Sequence, residues 1–369
     1  MFSATDHLLM ARALRLAERA RCWARPNPHV GCVIAHGDEV VGTGYTQPAG
    51  GNHAEIQALS EAGARAAGAT VYVTLEPCSH HGRTPPCVDA LLAAGVARVV
   101  VALGDPNPQV DGDGLRALAD AGVAVEPGLM ETRAQAQLAG FVLRHRRGHG
   151  RVRAKLAMSV DGRTAMASGE SQWITGAAAR ADVQRLRAES CAVVTGVGTV
   201  LADDCALTVR EQELPDGLRL PAADRRALRV VLDSALRTPP DARVLGGAQP
   251  TLLVHEQAAP IPGRLQAFSR LALGKSEQGL DLPALLTALA ARECNEILLE
   301  SGPTLAGAFL RAGLLDELLI YVAPKLLGSD ARPLFDLPLG SMSEAMNLRL
   351  TDQRQFGDDL RLSFKPHLL

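Results

Sequence analysis

The fold is decided by residues 53–78, which read HAEIQALSEAGARAAGATVYVTLEPC. The first part of this stretch has apolar residues at helical spacing and predicts a helix from His53 to about Ala67. The second part, from Val71 to Leu75, is apolar and rich in β-branched residues, and it predicts a buried strand. That strand delivers Glu76-Pro77-Cys78. A helix and a strand in alternation predict a layered α/β domain.

The same stretch begins a metal-binding pattern, because His53, Cys78 and the later Cys87 offer one imidazole and two thiols. Catalytic zinc keeps three protein ligands and leaves its fourth position to water. Glu55 need not touch the metal, and its carboxylate can take a proton from that water. The order His-x-Glu, Pro-Cys and a further Cys is typical of zinc-dependent base deaminases. We therefore predict His53, Cys78 and Cys87 as zinc ligands and Glu55 as the catalytic proton shuttle.

The segments around this motif extend the α/β pattern. An amphipathic helix is predicted over residues 5–22, with Thr5 or Asp6 as its cap. Strands are predicted over residues 30–35, 40–45 and 96–103, and a helix begins at Cys87. Each predicted ligand then lies at the start of a helix, where partial positive charge favours thiolate over thiol.

Eight residues separate Cys78 from Cys87, whereas the common deaminase spacing is Cys-x-x-Cys. The insertion is polar and basic, and it contains Arg83 and the tandem histidines His80 and His81. We expect Arg83 to bind an anionic group of the substrate, such as a phosphate. The alternative is that His80 or His81 displaces one of the three zinc ligands.

Composition limits the class of protein. A chain of 369 residues usually forms two domains, and we expect them at 1–146 and 147–369, joined by a basic linker at about 144–151. The net charge of −2 and the 3% aromatic content argue against a nucleic-acid partner. Seven cysteines, an odd number, do not form a disulfide framework and favour a cytoplasmic location. No long apolar run predicts a membrane span.

The second half also alternates strands and helices. Strands are predicted over residues 152–158, 192–195, 229–232, 251–254, 296–300 and 318–323, with a helix over 177–188. Residues 196–201 lack the third glycine of a dinucleotide fingerprint, and no clean helix is predicted after them. Ser301-Gly302-Pro303-Thr304 is a stronger phosphate signal, because Pro303 suits the first helical position and free N–H groups follow. An ordinary capped turn explains the same residues equally well.

Taken together, these features resemble the bifunctional deaminase–reductase family of riboflavin biosynthesis along nearly the whole chain. The motifs that carry the resemblance are Pro26-Asn27-Pro28, His53-Ala54-Glu55, Pro77-Cys78, the segment Gly82 to Cys87, Gly104-Asp105-Pro106-Asn107-Pro108, Lys155 to Ser159, Ser171-Gln172-Trp173-Ile174-Thr175, Gly198 to Asp204 and Glu300 to Thr304.

The resemblance implies a cytidine-deaminase-like α/β/α domain at the N-terminal side and a dihydrofolate-reductase-like α/β domain at the C-terminal side. The first would deaminate a diamino-hydroxy-phosphoribosylamino-pyrimidine to the corresponding uracil. The second would use NADPH to reduce the ribosyl group to ribityl. The resemblance thus implies one Zn²⁺ per chain, NADPH, a small-molecule substrate and a homodimer.

Family site residues can be carried over by motif. Nicotinamide-cofactor contacts would fall on Ala157, Trp173, Thr199, Asp203, Ser234, Gly302, Pro303, Thr304, Leu305, Ala306, Gly307 and Ala308. Substrate contacts in the reductase would fall on Ser171, Arg187, Leu207, Arg210 and Glu300. Arg187 and Arg210 suit a phosphate, because a guanidinium binds phosphate bidentately. The further candidates are Lys155, Arg83 and Asn27.

Two departures and two rival functions remain. Asp111 and Asp113 stand where the family often has a small and a basic residue, so Asp113 would repel a substrate phosphate. Cys205 stands where proline is common. One rival is a zinc deaminase of nucleosides or RNA with an unrelated nucleotide-binding second domain. The other is a structural zinc module, although such sites are usually closed by four protein ligands.

Overall fold

The chain divides into two compact units, Met1–Gly148 and His149–Leu369. The structure is a computed structural model that describes residues 1–81, 85–108, 110, 112–214, 218, 220–222, 226–276 and 279–366. Two residues singled out above, Arg83 and Asp111, lie outside these described residues. Within the described residues, no helix is long and apolar enough to cross a membrane.

The first unit is a five-stranded mixed sheet with helices packed on it. Its helices are α1 (Ala4–Glu18), α2 (Ala54–Ala62), α3 (Cys87–Ala93), α4 (Asp113–Asp120), α5 (Glu131–Gln137) and α6 (Ala139–Arg147). Its strands are β1 (Gly31–His36), β2 (Glu39–Tyr45), β3 (Thr70–Val73), β4 (Arg98–Val101) and β5 (Ala124–Pro127). The strand order is β2-β1-β3-β4-β5. β2, β1 and β3 pair antiparallel, whereas β3, β4 and β5 pair parallel.

The first helix begins at Ala4, one residue earlier than predicted, and ends at Glu18, four residues earlier. Ser3, rather than Thr5 or Asp6, is its N-cap: the Ser3 Oγ accepts the Asp6 N–H at 3.1 Å. Asp6 completes a capping box, because its Oδ2 accepts the Ser3 N–H at 2.8 Å. Asp6 also accepts hydrogen bonds from Tyr72 and Arg98, and its carboxylate therefore joins α1 to two strands of the sheet.

Glycines set the distance between the sheet and two of its helices. A Cβ on Gly44 of β2 would lie 2.0 Å from the carbonyl oxygen of Ala54, and one on Gly42 would lie 2.2 Å from that of Ala58. Both oxygens belong to α2. Gly31 of β1 contacts α1 in the same way. The position of α2, which follows His53 and contains Glu55, is thus fixed by direct backbone contact with β2.

The two units divide after Gly148, within the basic stretch 144–151 that was predicted as a linker, and part of that stretch is helical. Residues 144–147 form the last turn of α6, and the next strand already begins at Arg151. Arg144, Arg146 and Arg147 are favourable there because cations complement the negative end of the helix dipole. Gly148, at φ 84°, ends the helix in the left-handed conformation that glycine adopts without strain.

The second unit is built on a nine-stranded sheet. Its helices are α7 (Ala177–Glu189), α8 (Val197–Asp203), α9 (Leu282–Ala290) and α10 (Pro303–Arg311). Its strands are β6 (Arg151–Ser159), β7 (Arg163–Ala165), β8 (Ala192–Gly196), β9 (Leu228–Leu232), β10 (Thr251–Glu256), β11 (Ser269–Leu273), β12 (Lys275–Ser276), β13 (Gly279–Leu280), β14 (Glu296–Leu299), β15 (Glu317–Ala323), β16 (Arg332–Pro333), β17 (Leu348–Phe356) and β18 (Asp359–Pro366).

The order of the large sheet is β11-β10-β9-β8-β14-β6-β15-β18-β17. The strands from β11 to β15 pair parallel, and the β17–β18 hairpin adds an antiparallel edge. The carboxyl ends of parallel strands share one edge of a sheet, and ligands bind beside that edge in open α/β sheets. α8 follows β8 directly, so residues 197–201 are themselves helical, and this helix ends at Asp203. α10 follows β14 in the same way.

Candidate active sites

His53, Cys78 and Cys87 converge in the first unit. His53 is the N-cap of α2, and Cys87 is the first residue of α3. Cys78 lies in the loop after β3 rather than at a helix start, which corrects the prediction that each ligand opens a helix. It is nevertheless close to one, because the Cys87 N–H donates to the Cys78 Sγ at 3.3 Å.

The three side chains fit a zinc ion. The His53 Nδ1 lies 3.6 Å from the Cys78 Sγ and 3.3 Å from the Cys87 Sγ, and the three ligand atoms all lie within 4.8 Å of one another. A tetrahedral ion with bonds of about 2.3 Å to sulfur and about 2.0 Å to nitrogen holds such atoms about 3.5 Å apart. His80 and His81 are exposed and are not part of this cluster of described residues.

Glu55 lies beside this cluster in the first turn of α2. Its side chain is buried, with 4% of its surface exposed. Burial raises the pKa of Glu55 to about 7, although the charge on His53 and a hydrogen bond with Cys87 act in the opposite direction. An acidic group in this position can exchange protons with a molecule held next to the three ligands.

The two thiols differ in their surroundings. Hydrogen bonds from Cys87 and then from His53 lower the pKa of Cys78 well below the usual value for a thiol. The neighbouring Cys78 sulfur, together with burial, raises the pKa of Cys87. Negative charge is therefore stabilised at Cys78, the sulfur that receives the N–H at the start of α3.

A buried carboxylate, Glu76, holds the segment before Cys78 in place. Its oxygens accept backbone N–H groups from Gly114 at 3.0 Å, Asp105 at 3.1 Å and Gly112 at 3.2 Å. Gly114 also contacts this segment closely, because a Cβ there would lie 2.2 Å from the Pro77 oxygen. These bonds tie the Gly104–Pro108 motif and the start of α4 to the strand end that carries the zinc ligand.

The second unit contains a large cavity of ≈ 920 Å³. Its wall includes residues of β6, the start of α8, the turn after β9 and the turn between β14 and α10. The cavity thus lies at the carboxyl ends of adjacent parallel strands. Its volume falls in the range of small-molecule and cofactor sites, about 300–1,000 Å³.

An ion pair lies in the wall of this cavity. The Arg187 Nε and Nη2 donate to the two oxygens of Glu300 at 2.6 and 2.9 Å, and Nη1 donates to the Thr208 oxygen. Burial acts to raise the pKa of Glu300, but the charge and hydrogen bond of Arg187, together with the charges of Lys155 and Arg210, outweigh burial and the pKa is lowered. Burial lowers the pKa of Lys155, with Glu300 acting in the opposite direction. These groups form one charged cluster in the cavity.

Comparison with known families places both units. The cytidine and deoxycytidylate deaminase zinc-binding region matches residues 3–103, and the RibD C-terminal domain matches residues 151–362. The riboflavin biosynthesis protein RibD of Escherichia coli strain K12 is 50% identical over 363 residues, which cover 97% of this chain and 98% of that protein. The chain belongs to the RibD family.

Further relatives agree with this assignment. RibD of Haemophilus influenzae is 44% identical, with 99% of this chain and 98% of that protein covered. The structure of Acinetobacter baumannii RibD, form 1, has a TM-score of 0.90 at 42% identity, with 99% of both chains covered. The family and fold predicted from the motifs are therefore confirmed. This RibD-family chain is a two-domain deaminase and reductase, and the rival with an unrelated second domain is not supported.

Most residues carried over from the family line the reductase cavity. Those that line it are Ala157, Trp173, Thr199, Asp203, Ser234, Gly302, Pro303, Thr304, Leu305, Ala308, Ser171, Arg187, Leu207, Arg210, Glu300 and Lys155. Ala306 and Gly307 do not line it, and their predicted cofactor contacts stay predictions. Ala306 is fully buried, and Gly307 packs against the Asp336 oxygen. The helical repeat turns both residues away from the side that faces the cavity.

Trp173 is largely exposed, with 60% of its surface accessible. The Arg180 guanidinium lies 4.7 Å from the centre of its ring, and the Lys325 Nζ donates to its carbonyl oxygen at 2.7 Å. The residue is thus fixed by polar neighbours at the cavity wall rather than by a hydrophobic core. A flat ring held this way leaves apolar surface for a ligand.

Three deaminase expectations have different outcomes. Asn27 lies in the turn before β1, where its N–H donates to the Ala24 oxygen, and none of the described contacts joins its side chain to the zinc cluster. Arg83 lies outside the described residues, so its role stays a prediction. Asp113 is exposed and forms an ion pair with Arg116, one turn later in α4. That pair offsets the negative charge that Asp113 brings to this position of the RibD fold.

Proposed function

We propose that this RibD-family enzyme deaminates 2,5-diamino-6-(5-phosphoribosylamino)pyrimidin-4-one and then reduces the ribosyl group to give 5-amino-6-(5-phosphoribitylamino)uracil. The observation that carries the proposal is the His53, Cys78 and Cys87 cluster with the buried Glu55 beside it. A solved structure from Thermotoga maritima, named as a diaminohydroxyphosphoribosylaminopyrimidine deaminase and 5-amino-6-(5-phosphoribosylamino)uracil reductase, supports the substrate class. It has a TM-score of 0.86 at 28% identity, with 98% of this chain covered.

In the deaminase unit, His53, Cys78 and Cys87 hold zinc. Zinc with three protein ligands supplies a site that acidifies water. Glu55 accepts one proton of the attacking water and donates it to the ring nitrogen next to the reacting carbon. It then takes the second proton of that water, now on the hydroxyl of the reacting carbon, and passes it to the amino group, which leaves as ammonia. Glu55 can serve all these atoms because its buried carboxyl group lies beside the ligand cluster, within hydrogen-bond distance of Cys87. Through its hydrogen bonds, Glu76 fixes the position of Cys78 relative to the Gly104–Pro108 segment.

In the reductase unit, the cavity at the carboxyl ends of the parallel strands binds NADPH and the deaminated product together. NADPH supplies the hydride. The N–H groups at the start of α10, next to Gly302, bind the cofactor pyrophosphate. Trp173 packs against a flat ring, while Lys155, Arg187 and Glu300 orient the ribosyl hydroxyls by charged hydrogen bonds. In this arrangement hydride transfer depends on positioning more than on acid–base chemistry.

The test is Glu55→Gln in the full chain. General acid–base catalysis contributes about 10²- to 10⁴-fold, so ammonia release from the phosphoribosylaminopyrimidine should fall by about 100-fold or more. Zinc content, measured by elemental analysis, should stay near one per chain because Glu55 is not a ligand. NADPH oxidation with the deaminated product should not change, because that reaction belongs to the other unit.

The matched control is Glu61→Gln, a second glutamate of α2 that is exposed and accepts hydrogen bonds from Thr43. It should leave both activities unchanged. Full deamination by the Glu55→Gln variant would refute the proton-shuttle role. Faster turnover of cytidine or of tRNA than of the phosphoribosylaminopyrimidine by the unmodified chain would favour the remaining rival substrates.

We also propose a homodimer and a cytoplasmic location. β17 is the edge strand of the large sheet in the described residues, and apolar side chains are exposed on this hairpin. These side chains are Leu348, Leu350 and Leu360. Burying such an edge in a twofold contact removes unpaired backbone groups from water. A cytoplasmic location suits thiolate ligands, which stay reduced there. Light scattering of the eluted protein measures the first proposal directly.

A further inference from the structure

Five arginines line the reductase cavity among the residues described, more than a neutral ligand would need. They are Arg180, Arg187, Arg210, Arg243 and Arg332. The proposed ligands carry three separate phosphate groups: the cofactor pyrophosphate, the 2′-phosphate that distinguishes NADPH from NADH, and the substrate phosphate. The contacts of each arginine indicate which of these it is free to bind.

Three of the five arginines already have partners. Arg187 forms its two-pronged pair with Glu300, and Arg210 forms a similar pair with Glu213, its Nη2 donating to Oε2 at 2.8 Å. Arg180 donates to the Thr175 oxygen at 2.7 Å and lies over the Trp173 ring. Within the part of the chain that the structure describes, the guanidinium groups of Arg243 and Arg332 have neither a hydrogen bond nor an ion pair.

Arg243 lies on the cofactor side of the cavity. It follows β9 and the turn that contains Ser234, and its N–H donates to the Asp204 Oδ1 at 2.9 Å. Asp204 is the residue that ends α8, the helix that contains Thr199 and Asp203. Arg243 is therefore held beside α8, the helix that carries the proposed cofactor contacts Thr199 and Asp203.

Arg332 lies on a different wall. Its strand, β16, pairs with β7, and Arg332 is opposite Ala165. The Arg332 Nη2 would lie 3.0 Å from a Cβ placed on Gly169, two residues before Ser171. This wall carries the proposed substrate contact Ser171. The two free guanidinium groups therefore serve different ends of the ligand.

The charged residues around Arg243 indicate which of the three phosphate groups it binds. Asp203 lines the cavity beside it, and an acidic residue at the adenosine ribose favours the free diol of NADH. A nearby arginine is the usual means of accommodating a 2′-phosphate instead. The pyrophosphate already has the N–H groups at the start of α10. We infer that Arg243 binds the 2′-phosphate of NADPH and makes the reductase selective for NADPH over NADH.

This inference rests on the proposed function, because it assigns a role to one residue at the proposed cofactor site. Arg243 is exposed, so its replacement should not disturb folding. In the full chain, Arg243→Gln should weaken binding of NADPH about 10- to 100-fold, the loss expected for charged hydrogen bonds. NADH binding should change less than about twofold, because NADH has no 2′-phosphate to lose.

A smaller probe separates the 2′-phosphate from the rest of the cofactor. Calorimetry with 2′,5′-ADP should show the same loss as NADPH in the Arg243→Gln variant, whereas 5′-AMP should bind the variant and the unmodified chain equally. Arg243→Lys keeps the charge without the two-pronged geometry, so it should recover part of the loss. Arg332→Gln is the matched control and should leave the ratio of NADPH to NADH affinity unchanged.

The outcomes are distinct. Equal weakening of NADPH and NADH by Arg243→Gln would overturn the inference and assign the residue to the pyrophosphate. A change confined to the KM of the pyrimidine substrate would also overturn it, in favour of the substrate phosphate. If the unmodified chain binds neither NADPH nor 2′,5′-ADP, the proposed reductase function itself fails. If it binds both and Arg243→Gln has no effect, the role of Arg243 alone is refuted.

Discussion

Replacing Gly44 by alanine tests how closely the zinc site depends on the position of α2 against β2. The added Cβ would lie 2.0 Å from the Ala54 oxygen, whereas real Cβ atoms essentially never come closer than 3.0 Å to another heavy atom. The atom in the way is backbone, so no side chain can turn aside. The start of α2 must therefore move by about 1 Å, and His53 and Glu55 move with it.

A shift of this size exceeds what the metal site tolerates, since zinc–ligand distances vary within about 0.2 Å. A misplacement of 1 Å in catalytic geometry costs about 100-fold in rate. We therefore expect Gly44→Ala to lower zinc occupancy, to cut ammonia release by about 100-fold and to destabilise the first unit by about 1–3 kcal/mol. Elemental analysis, the deaminase assay and urea unfolding measure these three effects.

Gly31→Ala is the matched comparison, because its Cβ would lie 1.9 Å from the Ala13 oxygen of α1. The overpacking is similar, but α1 has no zinc ligand. Gly31→Ala should therefore lower stability to a similar extent while the folded protein keeps its zinc. Reductase activity should survive in both variants. A Gly44→Ala enzyme with full zinc content and full deamination would refute the claim that contact between α2 and β2 positions the zinc site.

Two further substitutions address buried carboxylates of the first unit. Arg98 holds the pKa of Asp6 well below its usual range, so Asp6 stabilises the fold above about pH 4, and this contribution disappears as pH falls through its folded pKa. Asp6→Asn should cost about 1.5–3 kcal/mol near pH 7 in urea unfolding and progressively less below about pH 4; an equal cost at both pH values would contradict this. Glu76→Gln replaces one carboxylate oxygen by an amide NH₂ group, so the backbone N–H groups bound to that oxygen lose their acceptor, and deamination should slow about tenfold or more with NADPH oxidation intact. Equal losses in the two assays would instead indicate a general folding defect.

The zinc site was predictable because the residues that form it lie in short sequence motifs. His53 and Glu55 are two residues apart at the start of a helix, and Pro77-Cys78 follows a strongly apolar strand. The α/β class followed from the alternation of periodic segments, which needs no knowledge of distant contacts. In the second unit, the phosphate signal at Ser301-Gly302-Pro303-Thr304 came from a local pattern, whereas the other substrate and cofactor contacts came from the family resemblance.

The hydrogen bonds that the Glu76 carboxylate accepts from distant backbone N–H groups could not be predicted in the same way. Its partners Asp105, Gly112 and Gly114 are 29, 36 and 38 residues later in the chain. A single glutamate before Pro77-Cys78 gives no sign of which distant N–H groups it will accept. The one available signal was the Gly104–Pro108 motif, which was recognised as a family mark but was given no function.

Local errors had local physical causes. Aspartate is a common N-cap residue, but Asp6 is the third residue of a capping box because Ser3, three residues earlier, is the cap. Tyr72 and Arg98 also bind the Asp6 carboxylate. The basic residues at 144–147 lack an apolar period, yet they are stabilised by the helix dipole.

The glycine contacts between β2 and α2 have a consequence for how the deaminase centre fails. Where a layer of side chains separates a helix from a sheet, that layer can loosen gradually as rotamers begin to exchange. At Gly42 and Gly44 there is no such layer, so the two backbones either touch or part. Release of the ion and opening of the helix are then a single event, and inactivation of this centre by heat should be abrupt rather than gradual.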